Sequence, residues 1–292
     1  MQPELMLNSQ ADLGEGPAWD ARNNRLYWVD IHAGDLHIFN PQAGSDACIH
    51  LGEPVGAAAP CENGEVVVAL QSGFATLNLA TQKLTRFADP EPQLPGNRFN
   101  DGKCDPAGRF LAGTMDDAEI EASGSLYSSS PDGSWKTLLT GLRISNGLAW
   151  SPDARTFYFI DTPTHQVTAF DYDLANGNIS NPRTAITVPT TIGFPDGMTS
   201  DADGMLWVAL WGGACLTRWN PETGALLQTI PMPALNVTSC AFGGADLRDL
   251  YITSARKGMN GEQLEKYPLS GGLFRIRTSI PGMPTFTFGA HR

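Results

Sequence analysis

The sequence predicts an all-β fold, a six-bladed β-propeller. Three observations carry that reading: a punctuated pattern that recurs six times, apolar segments of strand length, and abundant turn formers. The 292 residues include 31 Gly and 21 Pro, the two residue types least compatible with helix interiors. With 41% hydrophobic and 17% charged residues, the composition is that of a folded chain rather than a disordered one.

The first unit shows the pattern. Gly16-Pro17-Ala18-Trp19-Asp20 forms a short strand, residues 21–24 a turn, and residues 25–30 and 34–40 two further strands. Asn146-Gly147-Leu148-Ala149-Trp150 leads likewise into 156–161 and 166–172. Asp196-Gly197-Met198 leads into 205–210 and 215–220, and Asp101-Gly102-Lys103 into 109–114 and 124–128. Two weaker units begin at Val55-Gly56-Ala57 and at Thr238-Ser239-Cys240. The starts lie about 40 to 50 residues apart, the period of propeller blades.

Each strand is rich in Val, Ile, Leu, Phe, Tyr and Trp. Asp, Asn, Gly and Pro bound it, and their backbone preferences suit tight turns. No segment holds a 3.6-residue apolar period over several turns, so almost no helix is expected. Closing the ring removes the long open strand edges that an open stack would expose. Residues 5–8 and 285–289 (Thr-Phe-Thr-Phe-Gly) are the candidate strands that join both termini in one blade. A β-sandwich is the rival architecture. No linker interrupts the chain, so residues 1–292 read as one domain.

Charge and termini bound the function. Nineteen Lys+Arg against 31 Asp+Glu give a net charge of −12, which argues against nucleic acid and against an anionic membrane as partners. The start, Met-Gln-Pro-Glu-Leu-Met, has neither a basic nor an apolar signal-peptide region. No apolar run approaches the roughly 20 residues of a membrane span. Five scattered cysteines without a CxxC pair predict reduced thiols and a cytoplasmic protein. The oligomeric state stays open.

Common catalytic motifs are absent: no G-x-S-x-G, P-loop, H-E-x-x-H or G-x-G-x-x-G. His32, His37, His50, His165 and His291 do not cluster at metal-ligand spacing, which disfavours a His-based triad or zinc site. Asp201-Ala202-Asp203-Gly204 has residue types of an EF-hand loop without its spacing or helices, and is expected to be a turn.

Position is more informative. Glu15, Val55, Asp101, Asn146 and Asp196 each precede a Gly at a blade start. The first strand of each blade lines the central channel, so these positions converge, and four of the five carry oxygen. Converging carboxylates repel and lose solvation. A divalent metal relieves both, and oxygen ligands without Cys or His favour a hard cation. Capping of turns beside each Gly is the competing explanation for any single position. Taken together, Glu15, Asn146 and Asp196 favour a site.

Several motifs carry a resemblance. Leu13-Gly14-Glu15-Gly16-Pro17-Ala18-Trp19, Arg98-Phe99-Asn100-Asp101-Gly102-Lys103, Gly113-Thr114-Met115, Ile144-Ser145-Asn146-Gly147-Leu148 and Pro195-Asp196-Gly197-Met198 resemble the SMP-30/gluconolactonase/regucalcin family, in order from about residue 13 to 276. Ala209-Leu210-Trp211-Gly212-Gly213 and Tyr267-Pro268-Leu269-Ser270-Gly271-Gly272 look most like its bacterial sugar lactonases. The resemblance implies six blades and one divalent metal on Glu15, Asn146 and Asp196, with Ca, Zn, Mn, Mg and Fe(II) all open. It implies Arg98 and Asn100 as substrate contacts and makes Asp101 a supporting or turn residue. Relatives use an acidic residue after Gly-Thr-Met on a sugar hydroxyl. Simple counting places Ala118 there, and Asp117 or Glu119 could substitute.

The implied reaction is hydrolysis of a sugar lactone to the aldonic acid, with arabinono-, xylono-, glucono- and galactonolactones as candidates. Attack at the lactone carbonyl builds negative charge on oxygen, which a Lewis acid stabilises. Asp196 is the first candidate base and Glu15 the second. Of three tryptophans, Trp211, before a Gly-Gly loop, is the one expected to reach the substrate; Trp207 and Trp219 are expected in the core. A non-catalytic protein-binding propeller, a calcium-handling protein, another metal-dependent ester hydrolase and a glycosidase are the alternatives. The last needs two carboxylates of defined separation, which a mixed Glu/Asn/Asp set fits less well.

Overall fold

The computed structural model describes residues 1–289; His291 lies outside them. Six four-stranded antiparallel sheets form the ring. Their innermost strands are Gly14–Asp20, Val55–Pro60, Asn97–Cys104, Ser145–Trp150, Phe194–Ser200 and Asn236–Gly243. Gly14–Asp20 and Asn236–Gly243 are buried at every residue, while outermost strands such as Lys83–Ala88 are largely exposed. That gradient follows from a strand's place in a blade: inner strands meet neighbouring blades, outer strands meet water. Among the described residues, helix is confined to Gly261–Lys266 and a 3-10 turn at Thr162–Thr164.

Among the described residues, six apolar clusters hold the ring, one at each contact between neighbouring blades. Val29, Ile49, Val66 and Leu77 join the first and second blades. Trp19, Trp28, Phe39 and Tyr251 join the first and sixth. Non-directional burial of these faces is the main stabilising term.

Each innermost strand breaks register with its neighbour at the equivalent place. The breaks fall between Glu15 and Ala18, Val55 and Ala57, Phe99 and Gly102, Ser145 and Leu148, Pro195 and Met198, and Val237 and Ser239. Such bulges re-aim side chains that a regular strand would direct elsewhere. Asn100, Asp101, Asn146 and Asp196 sit inside them and Glu15 at the edge of one. Glycine follows where blades close on each other. A Cβ on Gly147 would meet the Asp196 carbonyl at 2.8 Å, and one on Gly197 the Ser239 hydroxyl at 2.1 Å.

A buried Asp closes the inner turn in three blades. Asp201 accepts from the N–H groups of Asp203 and Met205 and from Arg218 Nε and Trp207 Nε1, so the Asp-Ala-Asp-Gly run is a turn. Asp105 and Asp20 do the same with Arg109 and Arg25.

The closure differs in part from the sequence expectation. Glu4–Leu7 does close the ring, as outermost strand beside Leu273–Arg277, with Glu4 paired to Arg275 at 2.7 Å. Residues 285–289 are not a closing strand. They run beneath the channel, where Thr285 Oγ1 accepts from Trp19 N–H, Phe288 N–H donates to Pro60 and Gly289 N–H to Gly108. Bonds shared among different blades, rather than a ladder to one strand, make this segment a floor. Above it a void of about 40 Å³ separates the floor from Lys103.

Candidate active site

The other end of the channel opens into a cavity of about 360 Å³, and Glu15, Arg98, Asn100, Asn146 and Asp196 line it. The five arise from four different inner strands, which is why they are scattered in sequence and adjacent in space. Glu15 and Asp196 are both 4% exposed, and the Glu15 charge bears directly on Asp196. Burial pushes the Glu15 carboxyl up to about 8, and the Asp101 carboxylate adds to the shift. Burial also raises Asp196, with Glu15 and then Asp101 contributing.

Asn146 is oriented by its neighbours. Its Nδ2 donates to Thr162 Oγ1 at 2.8 Å, and the Thr162 hydroxyl donates to the Pro195 carbonyl at 2.8 Å. The hydroxyl hydrogen is therefore committed, so Asn146 must present its N–H to Thr162 and keep Oδ1 available. Asn100 Nδ2 reaches that Oδ1 at 3.3 Å and Ser145 O at 2.8 Å.

Arg98 is 2% exposed. Its Nη1 donates to Asn100 Oδ1 at 2.7 Å and to Phe99 O at 3.1 Å, and its Nε to Asp117 Oδ1 at 2.5 Å. A buried guanidinium so tied cannot swing, so its position is preset.

The two acidic candidates after Gly-Thr-Met have different places. Asp117 holds Arg98 from outside and is not part of the cavity wall. Glu119 is in the wall, where its Oε1 accepts from Lys257 Nζ at 2.6 Å. Asp116 shapes the loop by accepting from the N–H groups of Ala118, Ile120 and Glu121. Glu119 takes φ +61° in consequence of the tight turn. Ala118 is exposed.

Asp101 lies deeper. Its Oδ1 accepts from Gly102 N–H at 2.7 Å, and its Oδ2 is buried without a hydrogen-bond partner. Lys103, whose Nζ donates to Met198 O at 2.7 Å, supplies positive charge nearby. Trp211 lines the cavity, whereas Trp207 and Trp219 are buried in the interblade core.

The donor set suits a hard divalent cation. Two carboxylates and an amide line one cavity, burial and neighbouring charge raise both carboxyls, and no histidine or cysteine lines the cavity among the described residues. Sequence reasoning missed two contributors. Thr162 gives no local signal, because its role is set by Asn146 and Pro195 of different strands. Lys257 meets a partner 138 residues away.

A sequence-family model described as the SMP-30/gluconolactonase/LRE-like region matches residues 13–256. The chain belongs to this family. It is 38% identical over 288 residues to the Bacillus subtilis protein named "Putative sugar lactone lactonase YvrE", covering 99% of each chain. It is 40% identical over 282 residues to chicken (Gallus gallus) regucalcin, covering 94% of each. A crystal structure from Agrobacterium tumefaciens, titled as the calcium-binding protein regucalcin, superposes with TM-score 0.94 at 28% identity, covering 98% of this chain and 97% of that one. No helix among the described residues is long and apolar enough to cross a membrane.

Proposed function

We propose that this family member hydrolyses a sugar lactone to its aldonic acid with the help of one divalent cation held by Glu15, Asn146 and Asp196. The observation that carries the reading is the buried Glu15–Asp196 pair beside the oriented Asn146 oxygen in the wall of the cavity. A relative named as a sugar lactone lactonase supports the substrate class.

When bound, the cation supplies Lewis-acid stabilisation of charge developing on the lactone carbonyl oxygen. The side chains do the rest. Arg98, fixed by Asp117 and Asn100, offers a donor to the carbonyl or to a ring hydroxyl, and a preset donor needs no reorganisation during reaction. Glu119 and Lys257 offer an acceptor and donors to hydroxyls nearer the mouth. Trp211 and Phe194 provide apolar wall for the ring carbons, a mixture usual in small-molecule sites.

Asp196 takes the proton of the attacking water, with Glu15 as the second choice. In the metal-free protein burial raises the proton affinity of both, which offsets the lowering that a bound cation would bring. Water adds to the carbonyl carbon, the ring C–O bond breaks, and the proton passes to the ring oxygen. A reducing compartment, the cytoplasm, suits five free cysteines.

The test is acid release from a panel of aldonolactones by metal-stripped protein with single metals restored. A no-enzyme blank corrects for spontaneous hydrolysis. Metal-dependent turnover that disappears in Asp196→Ala is the expected result. Absence of turnover with every lactone and every metal would overturn the reading.

A further inference from the structure

The outer hairpin of the first blade holds a second set of metal-ligating side chains, far from the channel in both composition and place. Strands Asp35–Asn40 and Ser45–His50 pair in the register Asp35 to His50, His37 to Cys48 and Phe39 to Asp46. Side chains alternate between faces along a strand. Asp35, His37, Asp46, Cys48 and His50 therefore share one face. Histidines and a cysteine that are dispersed along the sequence meet through this register.

Candidate ligand atoms of Asp35, His37 and Cys48 lie within 4.8 Å of one another. The imidazole of His37 is already held as metal-bound imidazoles usually are. Its Nδ1 meets Asp46 Oδ2 at 2.6 Å, and Asp46 Oδ1 accepts from Trp28 Nε1 at 3.2 Å. The ring stacks on Trp28 at 3.8 Å between centroids. A carboxylate on one ring nitrogen fixes the tautomer and leaves the other nitrogen to a cation. His50 Nδ1 meets Asp35 Oδ1 at 2.8 Å, and its exposed ring stands beside the cluster. Three carboxylates, Asp35, Asp46 and Asp30, surround the Cys48 thiol and give the patch a negative field.

We propose that Asp35, His37 and Cys48, completed by His50 or water, bind a zinc-class cation that staples the two outer strands of the first blade. The chemistry separates this site from the channel. Nitrogen and sulfur donors with one carboxylate suit Zn²⁺ or Co²⁺, whereas the oxygen-only channel set suits harder ions. The inference is independent of the lactonase reading.

Cys48 is exposed and the other four cysteines are buried, so a thiol reagent reads this site alone. In the chelator-treated protein one thiol should react, slowly, because burial and the neighbouring carboxylates push the Cys48 thiol up to about 11. Zn²⁺ should suppress that reaction once enough is added to fill this site and the channel together, while Mg²⁺ should leave it unchanged. Co²⁺ should produce a thiolate-to-metal charge-transfer band that Cys48→Ser abolishes.

Asp35→Asn and His37→Gln should each weaken the Zn²⁺ protection by roughly tenfold or more. Asp196→Asn should leave it intact. Continued silence of the four buried thiols shows that each variant is folded. Equal labelling with and without Zn²⁺, or protection unchanged in both Asp35→Asn and His37→Gln, would overturn the proposal.

Discussion

Thr162 accepts the Asn146 amide N–H at 2.8 Å while its own hydrogen goes to Pro195, and this relay decides which end of the amide faces the carboxylates. Thr162→Val removes the relay at nearly constant volume. Metal affinity should drop by about tenfold, the usual effect of losing a group that orients a ligand. Thr162→Ser should retain it. Calorimetric titration of metal-stripped protein reads the difference, and equal affinity in the valine variant would remove Thr162 from the site.

Lys257 and Glu119 meet at the cavity mouth with side chains 27% and 43% exposed. Such a pair contributes little to folding, so Lys257→Met and Glu119→Gln should each change stability by only about 0.5 kcal/mol. Both should raise the lactone KM several-fold if the pair contacts substrate hydroxyls. The double variant should cost less than the two single effects combined. Thermal melts and initial rates together check this; unchanged KM in both single variants would leave the pair a surface ion pair.

The metal-free protein should lose stability as pH rises through the neutral range. Glu15 has its pKa raised by burial from 4.5 to about 8, and burial raises Asp196 as well. In that window the folded state binds more protons than the unfolded one, so stability falls with increasing pH. A cation displaces those protons. Its gain in Tm should therefore grow from pH 5 to 8, and calorimetry in buffers of different ionisation enthalpy should register proton release. A gain in Tm independent of pH would contradict the raised pKa values.

Asp105 is fully buried, and its two oxygens accept from Ala107 N–H, Arg109 N–H, Arg109 Nε and Tyr172 OH. Asp105→Ala strands a largely buried guanidinium and should destabilise by about 3–5 kcal/mol. Denaturant titration measures the loss. Because Gly108, in the same turn, is bonded to the channel floor, turnover by the folded fraction should be unaffected. A loss below the range of a surface substitution would sink this assignment.

The blade plan was legible because turn chemistry is local. Asp-Pro-Ala-Gly-Arg and Asp-Ala-Asp-Gly carry their own instructions, and the six starts could be aligned from them. Glu15, Asn146 and Asp196 were legible because each is followed by a glycine, which a neighbouring blade demands at Gly147 and Gly197 and a positive φ of 53° at Gly16. Residues 285–289 misled because Thr-Phe-Thr-Phe alternates as a strand does, yet its phenylalanines pack below the channel, Phe288 near Phe87. The roles of Lys257 and Thr162, and the meeting of His37 with Cys48, depend on pairings between distant or register-set positions. Residue type alone does not encode those.

Glu4 and Arg275, paired in the last blade, are 271 residues apart in the chain. Translation releases the first of them and then, at typical rates, takes on the order of tens of seconds to deliver the second. Throughout that interval Leu273–Arg277 does not yet exist, and Glu4–Leu7 has no edge to join. The order of emergence from the ribosome is thus the reverse of the order in which the ring can shut. The seam of Trp19, Trp28 and Tyr251 between the first and sixth blades is the last to exclude water, and a nascent chain must carry the Trp19 and Trp28 faces uncovered until the sixth blade has been made.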